Sequence, residues 1–265
     1  MSKGLIARQQ PRPFRTSRTV FALMLREMST TYGRNAFGYL WAVLEPAAGI
    51  LLLAAVFSFA LRGPALGTNF ALFYASGFLP FMAYLEISQK TSLALRFSRP
   101  LMAFPAVSFV HALLARLVLN SLTQLMVTGI VVTAIITFYR IEVTIDFPVF
   151  LGGVFLSFVL AFGVGVLNCF LLSRYPLWER AWVILTRPLF FASCIFFLFE
   201  AVPEPFRGYL WYNPLVHVVG MFRKGIYPTY EGGYISVAYV LFFSLSSLLL
   251  GLILLRRFHR DILNN

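Results

Sequence analysis

The sequence predicts an all-α membrane protein with six transmembrane helices, an N-terminal interfacial amphipathic helix and short re-entrant helices before the last span. Composition is the first reason: 59% of the 265 residues are hydrophobic and 12% are charged, whereas a soluble domain carries about 25% charged residues. The second reason is that six apolar runs are long enough to cross about 30 Å of hydrocarbon. These runs cover residues 38–61, 70–95, 107–138, 149–172, 182–199 and 234–255.

Residues 1–37 precede the first apolar run and are predicted to form a cytoplasmic segment. Within them, residues 17–31 are too polar to span the membrane but have apolar residues spaced for one helical face. These residues are Val20, Leu23, Met24 and Met28. The pattern predicts a helix that lies on the cytoplasmic surface and contacts membrane lipid. The alternative is an ordinary basic flank that only orients the first span.

The distribution of positive charge predicts that both chain ends lie in the cytoplasm, because cytoplasmic flanks collect Lys and Arg. With the N-terminus inside, fifteen of the 22 Lys and Arg residues fall on cytoplasmic segments, which include a tail at residues 256–265. Five fall on external segments, namely Arg62, Arg140, Arg207, Arg223 and Lys224. The formal charge is +12, but the basic residues are scattered between apolar runs, which argues against nucleic-acid binding.

Residues 200–233, between the fifth and sixth apolar runs, are neither a simple loop nor a span. Several Pro and Gly residues divide this segment into pieces too short to cross the membrane, although residues 209–211 and 215–222 are strongly apolar. Such backbone is tolerated at membrane depth only where protein or a water-filled cavity satisfies it. We therefore expect short re-entrant helices around an exit pathway. The alternative is an interfacial aromatic belt that includes Trp211 and Tyr212.

The sequence lacks the common signatures of catalysis and metal binding. A phosphate-binding loop ends in Gly-Lys-Ser or Gly-Lys-Thr, and none of Lys3, Lys90 and Lys224 follows a glycine. The three histidines lie in distant segments without Cys or carboxylate neighbours at ligand spacing, which argues against zinc. Cys169 and Cys194 lie in apolar runs and are expected to be packing residues. We therefore expect no enzyme activity and no cofactor bound by this chain.

Four charged residues fall inside or beside the apolar runs, namely Glu45, Glu86, Arg116 and Arg187. Intramembrane charge is typical of proton-coupled transporters, but each residue has a milder explanation. Glu45 lies near the start of the first span, Glu86 can pair with Lys90 at i,i+4, and the two arginines can snorkel to the inner interface. A proton-coupled transporter is therefore a less favoured alternative, as is a membrane-embedded glycosyl- or acyltransferase, which needs clustered His, Asp or Glu.

Several short motifs occur along the chain in a characteristic order. The first are Leu25-Arg26-Glu27, Tyr32-Gly33-Arg34 and Gly38-Tyr39-Leu40-Trp41-Ala42-Val43-Leu44-Glu45-Pro46. The later ones are Gly77-Phe78-Leu79-Pro80-Phe81, Phe104-Pro105 and Tyr212-Asn213-Pro214-Leu215 followed by Arg223. Over about residues 15–260 the chain thus resembles ABC-2 type permeases of the polysaccharide-export group, and most of all the capsular polysaccharide permeases of Gram-negative bacteria.

The resemblance implies that residues 38–255 are the transmembrane domain of an ATP-driven exporter of capsular or related surface polysaccharide in the bacterial inner membrane. It also implies a homodimer that pairs with two copies of an ABC ATP-binding subunit, which would supply ATP and Mg²⁺. Periplasmic and outer-membrane export proteins are further implied partners. Exporters of O-antigen or teichoic acid, and ABC-2 exporters of drugs or lipids, are the alternatives, because fold does not fix substrate.

Two groups of residues are predicted to carry this implied transport function. The surface helix and the loop after the second span both interleave Arg with apolar residues, as interfaces favour. The predicted ATPase-coupling residues are therefore Arg26, Glu27, Arg96, Arg99, Phe104 and Pro105. Aromatic faces let sugar rings slide, and cations attract acidic polymer. The predicted substrate pathway accordingly contains Arg187, Tyr209, Trp211, Tyr212, Arg223 and Lys224.

Overall fold

A computed structural model describes residues 15–31, 38–102 and 107–264 of the protein. Within these residues the chain forms helices and no strands, which confirms the all-helical prediction. The α-helices are α1 (Arg15–Thr31), α2 (Gly38–Ala60), α3 (Phe70–Ser92), α4 (Ala94–Ser98), α5 (Phe109–Tyr139), α6 (Phe147–Arg174), α7 (Pro176–Ala192), α8 (Phe206–Trp211), α9 (Pro214–Ile226) and α10 (Val237–Asn264). Two 3₁₀ turns cover Arg99–Leu101 and Phe199–Ala201.

Five of the described helices are long and apolar enough to cross a membrane, namely α2, α3, α5, α6 and α10. The fifth predicted span, residues 182–199, differs from them. Its helix is α7, which has 17 residues and, at about 1.5 Å per residue, extends only about 26 Å. The chain leaves the helix before Cys194, which has a positive φ of 56°. The structure thus has five long spans and one shorter apolar helix in place of six comparable spans.

Polar side chains fix where the central helices begin, because the first N–H groups of a helix have no intrahelical acceptor. Asn69 accepts a hydrogen bond of 3.1 Å from the backbone N–H three residues later, at the start of α3. Asp146 does the same for α6 at 3.3 Å. Ser108 and His111 form a reciprocal capping box at the start of α5. These caps define one end of each helix at the centre of the bundle.

Helix α6 is the centre of the bundle and packs against α3, α9 and α10. Glycines permit this close packing, as is common between membrane helices. A Cβ on Gly153 would lie 2.7 Å from the backbone nitrogen of Phe222 in α9, and one on Gly165 would lie 2.8 Å from the Cβ of Thr91 in α3. Helices α3 and α6 are consequently mostly buried, whereas α2 and α10 direct most of their surface outward.

The two ends of the bundle are built differently. At the α1 end, α1 crosses α5, and α4 packs against α5 and α6. At the α9 end, hydrogen bonds join α9 to the end of α7 and to the residue before α10. Helix α9 has 13 residues, so its length of about 20 Å is too short to cross the hydrocarbon. Most of its residues are nevertheless buried, so this segment is packed structure and not a surface loop.

Helix α1 has two apolar faces. Val20 and Leu23 are half-buried, on the same helical face as Glu27, which pairs with Arg116 of α5. Phe21, Leu25 and Met28 are 59%, 50% and 36% exposed, and their spacing places them on one face of the helix. Helix α1 therefore leaves an apolar surface uncovered by the rest of the described chain.

Candidate functional site

At the α1 end, four helices meet at the guanidinium of Arg116 in α5. Arg116 forms an ion pair with Glu27 of α1, with 3.4 Å between Nε and Oε1. It also donates a hydrogen bond to the carbonyl of Lys90 in α3 and lies 4.7 Å from the ring centroid of Phe97 in α4. We call these four residues the Arg116 junction. The predicted pair between Glu86 and Lys90 forms at 3.1 Å, whereas Arg116, expected to snorkel, instead binds Glu27.

The ion pair of the Arg116 junction is largely removed from water, since the side chains of Arg116 and Glu27 are 8% and 15% exposed. Burial raises the pKa of Glu27, and attraction to Arg116, Lys90 and Arg26 offsets part of that increase. Such a pair adds little net stability, but loss of one partner costs about 3–5 kcal/mol because it strands the other charge. The pair therefore fixes α1 on α5. Arg26, one position earlier, is exposed.

The other predicted coupling residues lie beyond this junction. Arg96 in α4 forms an ion pair of 3.0 Å with Glu179 in α7, and both side chains are about half exposed. An exposed pair of this kind contributes about 0–1 kcal/mol. Arg99 is exposed in the 3₁₀ turn that follows α4. Phe104 and Pro105 lie outside the described residues.

At the α9 end, Arg223 of α9 is fully buried and is among the largest buried side chains of the described residues. Its guanidinium lies 4.7 Å from the ring centroid of Phe73 in α3. It donates hydrogen bonds to the backbone carbonyls of Cys194 (2.7 Å), Ile195 (2.7 Å) and Phe197 (3.0 Å). These carbonyls belong to the non-helical turn after α7, where buried backbone groups need other partners. Arg223 therefore satisfies this turn and joins it to α3 and α9.

The two cations in α9 differ in burial. The sequence predicts that Arg223 and Lys224 belong to the substrate pathway and draw acidic polymer outward. Arg223 is instead 0% exposed, so its charge is not accessible from solvent. Lys224 is half-buried and donates a hydrogen bond of 3.1 Å to the carbonyl of Glu231. The contacts of Arg223 make it a residue that positions the α9 end.

Side chains of α8 and α9 tie these short helices to their neighbours. Asn213, the N-cap of α9, donates a hydrogen bond of 2.9 Å to the carbonyl of Ala192 at the end of α7. The Nδ1 of His217 accepts a bond of 3.2 Å from the N–H of Ser236. Because Nδ1 accepts, the proton is on Nε2, which lies 2.8 Å from the carbonyl of Trp211. The start of α10 is thus fixed against α8 and α9.

An open cleft of about 500 Å³ lies at the α9 end. It is lined by aromatic and charged residues that include Phe199, Glu200, Glu204, Arg207, Trp211, Tyr212 and Tyr234. Tyr212 is 68% exposed and the neighbouring Tyr209 is 73% exposed. Trp211 is half-buried, and its indole N–H donates a bond of 3.2 Å to the carbonyl of Tyr234. The structure thus places Trp211 and Tyr212 in one cleft, with Tyr209 beside it.

Arg187 does not line this cleft and is exposed on α7. No residue of α7 is buried, and Arg187 has no ion pair within residues 15–31, 38–102 and 107–264. The same described ranges contain no group of three or more His, Cys, Asp or Glu residues that could hold a metal ion. The candidate functional features are therefore the Arg116 junction, the cleft at the α9 end and the exposed face of α7.

Comparison with known proteins identifies a family and several relatives. The ABC-2 type transporter family matches residues 18–227. The polysialic acid transport protein KpsM of Escherichia coli is 32% identical over 239 residues, which cover 90% of this chain and 92% of the relative. The capsule polysaccharide export inner-membrane proteins CtrC of Neisseria meningitidis and BexB of Haemophilus influenzae are 25% and 24% identical, each over 92% of both chains.

Replacing Arg223 with Met should lower the melting temperature of the detergent-solubilised protein. Methionine fills part of the volume but leaves three buried carbonyls without a donor, at about 1–3 kcal/mol for each unsatisfied group. Arg223→Lys should recover little of the loss, because an ammonium does not reproduce the planar fork of donors.

The matched control is Arg207→Met, which removes the partner of Glu204 in an exposed ion pair of 2.9 Å. This change should alter the melting temperature only slightly. Equal melting temperatures for wild type and Arg223→Met, measured by tryptophan fluorescence, would contradict the assignment of Arg223 as a positioning residue.

Proposed function

This chain belongs to the ABC-2 type transporter family, and from that premise we propose that it is the permease subunit of an ATP-driven exporter of capsular or related surface polysaccharide. The observation that carries the proposal is the 32% identity, over 90% of the chain, to a polysialic acid transport protein. Two further relatives, from two other genera, are capsule polysaccharide export proteins of the inner membrane. The absence of a phosphate-binding loop from the sequence agrees with a subunit whose energy comes from a partner.

The working exporter contains a homodimer of this chain, two copies of an ABC ATP-binding subunit that bind ATP and Mg²⁺, and periplasmic and outer-membrane export proteins. Uncovered apolar surface supports the homodimer, since Phe59 and Leu52 of α2 are 92% and 66% exposed. Both chain ends face the cytoplasm, and α7 completes a sixth crossing together with the turn that follows it. The excess of basic residues on the segments assigned to the α1 end supports this orientation.

The α1 end receives the ATP-binding subunit. Arg26 is exposed on a helix whose neighbouring residue Glu27 is held by Arg116. A displacement of α1 is therefore transmitted to α3, α4 and α5, all of which contact the Arg116 junction. The exposed apolar residues of α1 rest among lipid headgroups, where an amphipathic helix is most stable. In this arrangement α1 contacts both the membrane surface and the ATP-binding subunit.

The cleft at the α9 end forms the exit of the pathway, and α8 and α9 are re-entrant helices that shape it. Tyr212 lines the cleft and Tyr209 is exposed beside it. Aromatic rings provide broad apolar contact without fixing one register. Trp211 contributes its ring while its N–H holds Tyr234. Lys224, whose ammonium is bound to the carbonyl of Glu231, keeps its charge near this exit.

Deletion of the gene should remove polysaccharide from the cell surface while polymer accumulates inside the cell. Loss of export without loss of synthesis gives this pair of results, so both are measured, by surface immunolabelling or carbohydrate staining and by extraction of cytoplasmic polymer. A plasmid copy should restore the surface polymer. Normal surface polysaccharide in the deletion strain, together with altered drug susceptibility, would overturn the proposal in favour of a drug exporter.

Arg26→Gln should reduce polymer exported per ATP hydrolysed severalfold in the reconstituted exporter, while the melting temperature stays unchanged. The side chain is exposed, so its removal weakens only the contact with the partner subunit. Glu27→Gln should reduce both quantities, because it strands the charge of Arg116. Arg62→Gln, an exposed change at the other end of α2, is the control and should export normally. If Arg26→Gln exports as much polymer per ATP as wild type, α1 is not part of the surface that receives the ATP-binding subunit.

The double variant Tyr209→Leu and Tyr212→Leu should reduce export, whereas Phe at both positions should preserve it because the ring faces remain. Tyr139→Leu is the matched control, since Tyr139 is 43% exposed at the end of α5 and does not line the cleft. Export is measured as surface polymer at equal amounts of membrane-inserted permease. If the Leu variant exports as well as the control, the aromatics serve as a membrane anchor only.

A further inference from the structure

Helix α7 carries an exposed stripe in which cations alternate with apolar residues. We call it the α7 stripe, and it consists of Leu177, Arg180, Ile184, Arg187 and Phe191. All five residues are exposed, and the three apolar ones are between 63% and 76% exposed. At about 100° per residue, the five positions fall within a sector of about 80°. The stripe is therefore one continuous surface along the helix.

Contacts on the opposite side of α7 fix the direction in which the stripe points. The rings of Trp178 and Trp182 stack with centroids 6.2 Å apart, and the indole N–H of Trp178 donates a bond of 2.9 Å to Asn168 of α6. Further along, the ring of Phe190 lies 5.3 Å from that of Phe81 in α3. Because these residues face the bundle, the stripe faces away from it.

No acidic side chain within the described ranges neutralises the two arginines of the stripe. Glu179, the acid of α7, is paired with Arg96. Arg187 lies about 16 Å along the helix from Pro176, whereas Arg180 is near the start and can reach an interface. Charged side chains at membrane depth usually face a water-filled cavity or an opposite charge, because lipid is unfavourable for them. Arg187 therefore needs water or an anion beside it.

Packing of the stripe against the same stripe of a second copy would place arginines opposite arginines. Like charges brought together across an interface are unfavourable, so direct self-association does not satisfy this surface. A ligand that supplies negative charge does, and the planar guanidinium binds carboxylate and phosphate through two parallel hydrogen bonds. The apolar residues between the arginines suit the apolar faces of sugar rings.

We propose that the α7 stripe is a binding track for acidic polysaccharide, in which Arg180 and Arg187 bind carboxylate or phosphate groups and set the preference for a charged polymer. This inference rests on the proposed export function and adds the substrate class and the residues that select it. The two arginines lie two helical turns apart, so an advancing chain can engage one before it leaves the other. The track then holds the polymer without one fixed register.

The test compares two polymers that differ in charge but share a backbone, namely polysialic acid and its carboxyl-reduced form. The permease with its ATP-binding subunit is placed in phosphatidylcholine nanodiscs, which contain no anionic headgroups, and binding of each fluorescently labelled polymer is measured. Wild type should bind the acidic polymer at least about tenfold more tightly, a difference that corresponds to about one good charged contact. The double variant Arg180→Gln and Arg187→Gln should lose this preference.

Two further variants separate charge from general damage. Lys at both positions keeps the charge and should retain part of the preference, without the bidentate geometry. Arg174→Gln removes an exposed arginine at the end of α6, outside the stripe, and should bind both polymers as wild type does.

Three outcomes would overturn the inference. The Gln variant could keep the preference, or it could lose affinity equally for both polymers. Wild type could also bind the two polymers equally, and Arg-dependent retention of phosphatidylglycerol would then assign the stripe to lipid. If wild type binds neither polymer and its deletion strain keeps its surface polysaccharide, the proposed export function fails as well.

Discussion

The structure depends on one constraint, which is that backbone groups away from water must find hydrogen-bond partners inside the protein. The long helices meet this constraint alone, but the turn after α7 does not. Arg223 supplies the missing donors to the carbonyls of Cys194, Ile195 and Phe197. Because the same guanidinium contacts Phe73 of α3, the solution to a local backbone problem also fixes α7, α3 and α9 relative to one another. The short helices of the α9 end are thereby held as part of the core.

A second arginine acts in a similar way at the opposite end of α3. Arg116 donates to the carbonyl of Lys90, pairs with Glu27 and lies over Phe97. Helix α3 is thus held by Arg223 near its first turn and by Arg116 near its last. Since α3 and α6 are also the most buried of the five long helices, the two arginines define a rigid centre. The surfaces proposed for coupling and for exit are attached to opposite ends of that centre.

Hydropathy was sufficient to predict the long helices, because a span needs a continuous apolar run and little else. Pro and Gly spacing was also sufficient to predict short helical pieces in residues 200–233. The length of α7 was not predictable. The helix ends just before Cys194, and the local sequence contains no signal for the positive φ of that residue. The positive-inside count assigns Arg223 to a side but cannot distinguish a buried guanidinium from an exposed one. The pairing of Glu27 with Arg116 joins segments far apart in sequence, and a single sequence has no local signal for it.

The arginines of this chain show why residue type alone does not identify a site. Arg223 and Arg116 are buried and their donors are engaged by carbonyls or a carboxylate, so they have little capacity left for a ligand. Arg187 has the same side chain and a comparable position in an apolar segment, but it is exposed and has no acidic partner among the described residues. A cation in lipid is unfavourable, and a cation that the fold does not pair needs water or an anion beside it. From the sequence alone, the buried arginines are as plausible as Arg187 for contact with substrate. The structure favours the uncovered face of α7, because its arginines remain available to a ligand.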